Sequence, residues 1–277
     1  MRDRHDHYFR KAKTEGYLSR AAYKLMEIDD RRKILHPGDW VLDCGCWPGG
    51  WLQVASERVG PRGAVIGIDF EPVRHQFQQS NVRTIQADLR SVDAGTLLGL
   101  AAEASGARGA AGSVADRARP ASSSTIAGAI VASDAASSGN ADHVDADPSA
   151  RDSARRFDVI LSDMAPKTSG DHTVDHHASA RLCDLVLSIC PALLRPGGSL
   201  VMKIFEGERY PDLLAQCRTT FNAVKGFKPK SSRSESREMY IIAQDYAGGP
   251  EREPSPPQRT GATMDSPPPR PQPRPGW

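Results

Sequence analysis

Two apolar runs in this chain carry charges that a buried strand does not readily hold. FDVILSDMAP (157–166) places Asp163 at the end of one, and GSLVMKIFEG (198–207) places Lys203 inside the other. Charged groups are rarely buried unless they are paired, because losing their hydration is costly. A carboxylate and an amine at the carboxyl ends of neighbouring strands would stand where open α/β sheets bind their ligands. A lone Asp before Met-Ala-Pro is often only a strand-to-loop turn, whereas a Lys in mid-strand is harder to explain structurally.

A second constellation lies earlier in the chain. An apolar strand pattern runs into DCGCWPGGW, where Gly45, Gly49 and Gly50 let backbone approach a ligand closely before a helix begins. The spacing is not G-x-G-x-x-G, which weakens a nicotinamide reading. The next strand ends at Asp69, a spacing at which an acid commonly bonds a ribose hydroxyl pair. A third ends at Asp88. Three successive strands ending in a turn or an acid point to a nucleoside-containing cofactor.

The elements that must position these groups follow from the apolar runs. Strand candidates are 39–45, 64–70, 82–88, 157–163, 199–205, 221–227 and 238–244. Helix candidates are 18–35, 50–59, 175–194 and 208–219. Strand–helix alternation predicts an α/β fold, with a seven-stranded, mostly parallel sheet and helices on both faces. The last two strands lack a long helix between them, so antiparallel pairing at one edge is expected. Pro196-Gly197-Gly198 marks a turn before the fifth strand.

Composition shifts twice. From about Ala101 to Arg155 the chain is Ala, Ser, Gly and Asp with few large apolar residues, an expected disordered insertion. Within it only IAGAIVA (126–132) has the make-up of a short element. From Gly248 the Pro-rich tail (248–277) is expected to be extended and unfolded. One domain of residues 1–100 joined to 156–247 remains, an ordinary single-domain size.

The whole chain has 277 residues, 39% hydrophobic and 25% charged, which suffices for a full core. A net charge of +2 permits a nucleic-acid partner without demanding one. The five cysteines form no C-x-x-C pair and no zinc-finger spacing, as in a reducing compartment. No apolar run approaches the ~20 residues of a membrane helix, and the first residues lack a signal-peptide pattern. A cytoplasmic location is expected, with no membrane partner and a monomeric state. His172, His176 and His177 invite a metal reading, but histidines at a helix start are usually structural, and no metal is expected.

Taken in order, EGYLSRAAYKL (15–25), LDCGCWPGGW (42–51), IGIDFEP (66–72), QADLR (86–90), LSDMAP (161–166), RPGGSLVMKIFEGE (195–208) and KPKSSRSESREMYIIA (228–243) make a more specific pattern than any one loop. The chain resembles the FtsJ/RrmJ (RlmE-type) family of S-adenosylmethionine-dependent RNA 2′-O-ribose methyltransferases. The resemblance covers nearly the whole core and implies a Rossmann-like methyltransferase fold. It implies a catalytic tetrad of Lys24, Asp163, Lys203 and Glu238. It also implies S-adenosylmethionine held by Gly45, Gly49, Gly50, Trp51, Asp69, Asp88 and Asp163, with Asp69 on the ribose and Asp88 on the adenine amino group. The implied substrate is ribosomal RNA of the large subunit, with a uridine of the A-loop as target. Rival readings are a tRNA or mRNA-cap ribose methyltransferase and a non-catalytic RNA-binding assembly factor. Where the family usually has a small residue, this chain has Trp47, whose indole either narrows the pocket or faces solvent.

The chemistry agrees with the resemblance. A ribose hydroxyl is a poor nucleophile and must lose its proton as it attacks. An ordinary Lys, titrating near ~10.4, cannot accept one. Burial and a second cation lower such a value, so Lys203 is the expected base, with Lys24 as the second cation. Asp163 and Glu238 would orient it and balance charge. Two basic clusters flank these groups: Arg10, Lys11, Lys13 and Arg20 before Lys24, and Lys228, Lys230, Arg233 and Arg237 before Glu238. They are expected to hold an RNA backbone. Tyr8, Phe9, Tyr17 and Tyr23 interleave with the first cluster as possible base-stacking groups.

Overall fold

The computed structural model describes residues 3–106, 155–232 and 236–248, with side chains from His7 onward. Arg233, the 126–132 segment and the tail beyond Gly248 lie outside the described residues. Seven strands form one sheet: β1 (Trp40–Cys44), β2 (Ala64–Asp69), β3 (Val82–Gln86), β4 (Phe157–Ser162), β5 (Leu194–Phe205), β6 (Phe221–Phe227) and β7 (Glu238–Tyr246). Their order is β3-β2-β1-β4-β5-β7-β6. The first five run parallel, and β7 is antiparallel to both β5 and β6. The antiparallel strand is therefore next to the edge, inserted between β5 and β6.

Alternation along the strands assigns the two faces. Trp40, Leu42 and Cys44 of β1 join a core with α4 (Ala94–Ala104), α5 (His172–Leu193) and α6 (Arg209–Arg218). Val41 faces the other way, toward α2 (Ala21–Arg32) and α3 (Gly50–Val59). The same rule applies to β5 and β7. Leu200, Met202, Ile204 and Ile241 pack on the α5 side, while Val201, Tyr240 and Ile242 pack on the α2 side. By parity Lys203 and Glu238 share the α2 face, and the register sets Lys203 opposite Tyr240 and Phe205 opposite Glu238.

Two helices were not expected from the sequence. α1 (Asp3–Glu15) precedes the core, and α4 runs to Ala104. The boundary at Ala101 is corrected accordingly: Ala101 is fully buried against the sheet, so the folded part extends past it. β5 also begins earlier than expected, at Leu194. The Pro-Gly-Gly segment lies within it as an irregularity where pairing with β4 shifts.

Candidate active site

The β1–α3 turn shows why its glycines are there. Gly45 has φ +79°, and a Cβ on it would stand 2.5 Å from Met164 Cγ, so the ends of β1 and β4 meet only without a side chain. Gly49 caps α3 at φ +115°. A cleft of about 740 Å³ opens beside this turn, bordered by Gly45, Trp47, Asp69, Asp88, Asp163 and Arg181 among others. Gly49, Gly50 and Trp51 do not border it. The Trp51 indole is buried, donates to the Ala21 carbonyl at 2.8 Å and packs 5.9 Å from Tyr240. What Trp51 and Gly50 bring toward the turn is the amino end of α3, whose N–H groups favour an anion.

Asp69 is fixed by the backbone: its Oδ2 accepts the Trp47 N–H and its Oδ1 the Glu71 N–H, both at 2.9 Å. Trp47 borders the cleft and is 57% exposed, so much of its side chain faces solvent. Asp88 caps a 3-10 turn at Leu89–Ser91 and takes a forked contact from Arg90, whose hydrogen bonds hold its carboxyl below the ordinary range. In the structure its oxygens are shared with that guanidinium.

Asp163 borders the cleft and joins it to the lysines. Lys203 Nζ lies 3.0 Å from Asp163 Oδ1 and donates to the Asp163 carbonyl at 2.5 Å. Tyr240, which the sequence reading did not single out, donates its hydroxyl to Asp163 Oδ1 at 2.6 Å. Lys24 pairs with Glu238 at 2.8 Å. Both lysines are 7% exposed. All four tetrad candidates are thus brought together, as two ion pairs on the α2 face. Burial pushes the Asp163 carboxyl up, but the Lys203 and Lys24 charges and the Tyr240 hydroxyl outweigh it and hold it below the usual range. Burial, then the Asp163 and Glu238 charges, keep the Tyr240 phenol well above its ordinary value, so it stays a donor.

Asp43 was also missed. It is fully buried on the α2 side of β1, and neither carboxylate oxygen has a partner. Burial first, then the Asp163 and Asp69 charges, push its carboxyl well above the usual range. A raised carboxyl binds a proton in the folded state that the unfolded chain has lost. Stability therefore falls as pH rises from the unfolded value of ~3.9 toward the folded one. Asp43→Asn removes that penalty. Relative to wild type, its Tm without cofactor should gain steadily as pH rises above ~4, by about 2–4 °C for each kcal/mol relieved. A difference that stays flat with pH would refute this.

The RNA-contact candidates divide. The two basic clusters meet in space: Glu27 accepts the N–H groups of Lys230 and Ser231, and Arg20 donates to the Ser231 carbonyl at 2.5 Å. Lys13, Lys228 and Lys230 are exposed. Lys11 pairs with Glu15 and lies over the Tyr23 ring, and Arg237 donates to the Glu206 carbonyl. Arg10 is exposed on α1. Tyr8 and Tyr17 each pack against the buried Tyr23 and are half-buried, while Phe9 is 61% exposed. Among the described residues no group of His, Cys, Asp and Glu is arranged to hold a metal, and no helix is long and apolar enough to cross a membrane.

The sheet order, the glycine turn and the acid at the end of β2 define a Rossmann-like α/β fold. The sequence profile of the FtsJ-like methyltransferases matches residues 17–246, and the chain belongs to that family. It is 38% identical to ribosomal RNA large subunit methyltransferase E of Syntrophobacter fumaroxidans, over 86% of this chain and 93% of that one. It is 33% identical to the protein of the same name from Halobacterium salinarum, over 90% and 77%. A crystal structure of a putative ribosomal RNA methyltransferase from Plasmodium falciparum shares the fold, with TM-score 0.57 and 24% identity over 84% of this chain and 100% of that one.

Proposed function

We propose that this protein methylates the 2′-hydroxyl of a ribose in large-subunit ribosomal RNA, a uridine of the A-loop, using S-adenosylmethionine. The observation that carries this reading is the pair of buried lysines anchored to Glu238 and to Asp163, of which Asp163 borders the cleft. The names of the curated relatives support the substrate class. A cytoplasmic, monomeric enzyme that needs no metal fits the same reading.

The residues present suit the cofactor. Asp69 borders the cleft with its carboxylate fixed by two backbone N–H groups, as a ribose diol would require, and Gly45 leaves the cleft free of a side chain at that point. Bound S-adenosylmethionine supplies an electrophilic methyl group on a sulfonium centre. In its neutral amine form Lys203 would take the hydroxyl proton at Nζ as the ribose oxygen bonds the methyl carbon and the methyl–sulfur bond breaks, and Asp163 orients that nitrogen through two of its own oxygens. Tyr240 fixes the Asp163 carboxylate in turn. Lys24, balanced by Glu238, sets the second cation beside the substrate ribose or its phosphate. The exposed Lys13, Lys228 and Lys230 hold the RNA backbone, with strong salt dependence.

Mapping 2′-O-methylation across ribosomal RNA and tRNA, with and without the protein, tests the target. Loss of a mark in large-subunit RNA is expected; a mark lost only in tRNA overturns the substrate. For the cofactor, calorimetry should give micromolar binding to wild type. Asp69→Ala should weaken it by about 10- to 100-fold, the worth of a charge-assisted hydrogen bond. Unchanged affinity would remove Asp69 from the ribose site.

A further inference from the structure

Lys203 is held from two directions. Its side chain points to the α2 face, while its strand is held from α5. Pairing between β4 and β5 ends at Ser162–Met202, so beyond that point β5 has no strand on that side. Cys183, Ser179 and His176 stand there instead, successive residues of one α5 stripe. The Cys183 thiol donates to the Lys203 carbonyl at 3.2 Å. Ser179 Oγ accepts the Phe205 N–H at 3.1 Å and donates to the His176 carbonyl at 2.8 Å. His176 Nδ1 bonds the Phe205 carbonyl at 2.7 Å, and its Nε2 accepts the Arg209 N–H at 2.9 Å.

These partners fix the ring. A carbonyl only accepts and an amide N–H only donates, so His176 is the neutral tautomer with its hydrogen on Nδ1. The ring is 3% exposed, and the turn after β5 folds over it: a Cβ on Gly207 would stand 2.4 Å from its Cγ. The same turn grips β7. The Glu206 N–H donates to the Arg237 carbonyl at 2.7 Å, and Arg237 Nη2 donates back to the Glu206 carbonyl at 2.9 Å. Glu238 follows directly and lies opposite Phe205.

We infer that His176 and Ser179 are positioning residues for methyl transfer. They set the end of β5 against the start of β7, and hence Lys203 and Glu238 against the reacting hydroxyl. Any buried polar ladder adds stability; this one ends on the two strand ends that carry the site. The inference rests on the reading of Lys203 as proton acceptor.

The test is steady-state methylation of ribosomal RNA by His176→Phe, which keeps a ring but loses both bonds, and by Ser179→Ala. A misplacement on the order of 1 Å costs up to about 100-fold in rate. The expected falls in kcat are about 100-fold for His176→Phe and about 10-fold for Ser179→Ala. KM for RNA and calorimetric cofactor affinity should hold within about twofold, because neither residue borders the cleft. His176→Gln, whose amide can restore one of the two bonds, should recover part of kcat. Wild-type kcat in the folded variants overturns the inference, as does a loss that moves kcat, KM and Tm together. If His176→Phe does not fold, Ser179→Ala decides alone. Lys203→Arg is run alongside. If it is inactive while both ladder variants turn over normally, the positioning role alone fails. If it retains full activity, the proton-acceptor reading fails and takes this inference with it.

Discussion

Lys203→Arg is expected to fold, to bind S-adenosylmethionine as wild type does, and to lose methyl transfer by about 10²- to 10⁴-fold, the usual worth of a general base. The substitution separates two roles that Lys203→Ala would merge. Arginine keeps a cation beside Asp163, so the ion pair and the charge seen by Tyr240 survive. A guanidinium does not give up its proton in a protein, so it cannot receive one from the ribose hydroxyl. Lys203→Met, which removes charge and base together, should be no more active than Lys203→Arg. Single-turnover methylation with saturating RNA and cofactor reads the chemical step directly. If Lys203→Arg keeps more than a tenth of wild-type rate, Lys203 acts only as a charge and another group takes the proton.

The arrangement behind that prediction is partly legible in the amino-acid sequence. Strands 221–227 and helix 50–59 fall where the apolar patterns put them, because a half-buried strand or helix must show its period. The tetrad is legible through family motifs, and the sheet then explains it: alternation sends Lys203, Tyr240 and Glu238 to one face. Tyr240 was within reach of the sequence, since it lies two residues from Glu238 in a strand and so shares its side. α4 was hidden for a different reason. AGTLLGLAAEA blends into the Ala- and Ser-rich stretch that follows, and only the Asp93 cap, accepting the Thr96 N–H at 2.9 Å, marks its start. α1 is mostly charged, and among its described side chains only Ala12 is buried, so no stripe announces it. The orphaned state of Asp43 and the bonds of His176 depend on partners distant in sequence. A single chain read in order carries no sign of them.

Asp163 is where removing one atom type should damage both fold and catalysis. Asp163→Asn leaves Lys203 and Lys24 buried at 7% exposure with Glu238 as their remaining anion. Breaking a buried pair from one side costs about 3–5 kcal/mol, because the surviving charge stays desolvated. In a domain of this size that corresponds to a Tm lower by roughly 10 °C at neutral pH. The pH dependence identifies the cause. The folded carboxyl lies below its unfolded value, so its contribution is fully present above ~3.9 and is lost as pH falls through the folded value. The gap between wild type and Asp163→Asn should therefore close on acidification below ~3.9, over the range where wild type still folds. Thermal melts across that range read it. A deficit that persists unchanged in acid would mean that Asn disrupts packing and that the carboxylate charge is not what holds the lysines. Catalysis should fall with the charge, since the Asn amide can present an N–H to Lys203 where Asp163 presented only acceptors. The loss should appear in kcat with RNA binding preserved, because the reading proposed above assigns the RNA backbone to the exposed Lys13, Lys228 and Lys230 and not to Asp163.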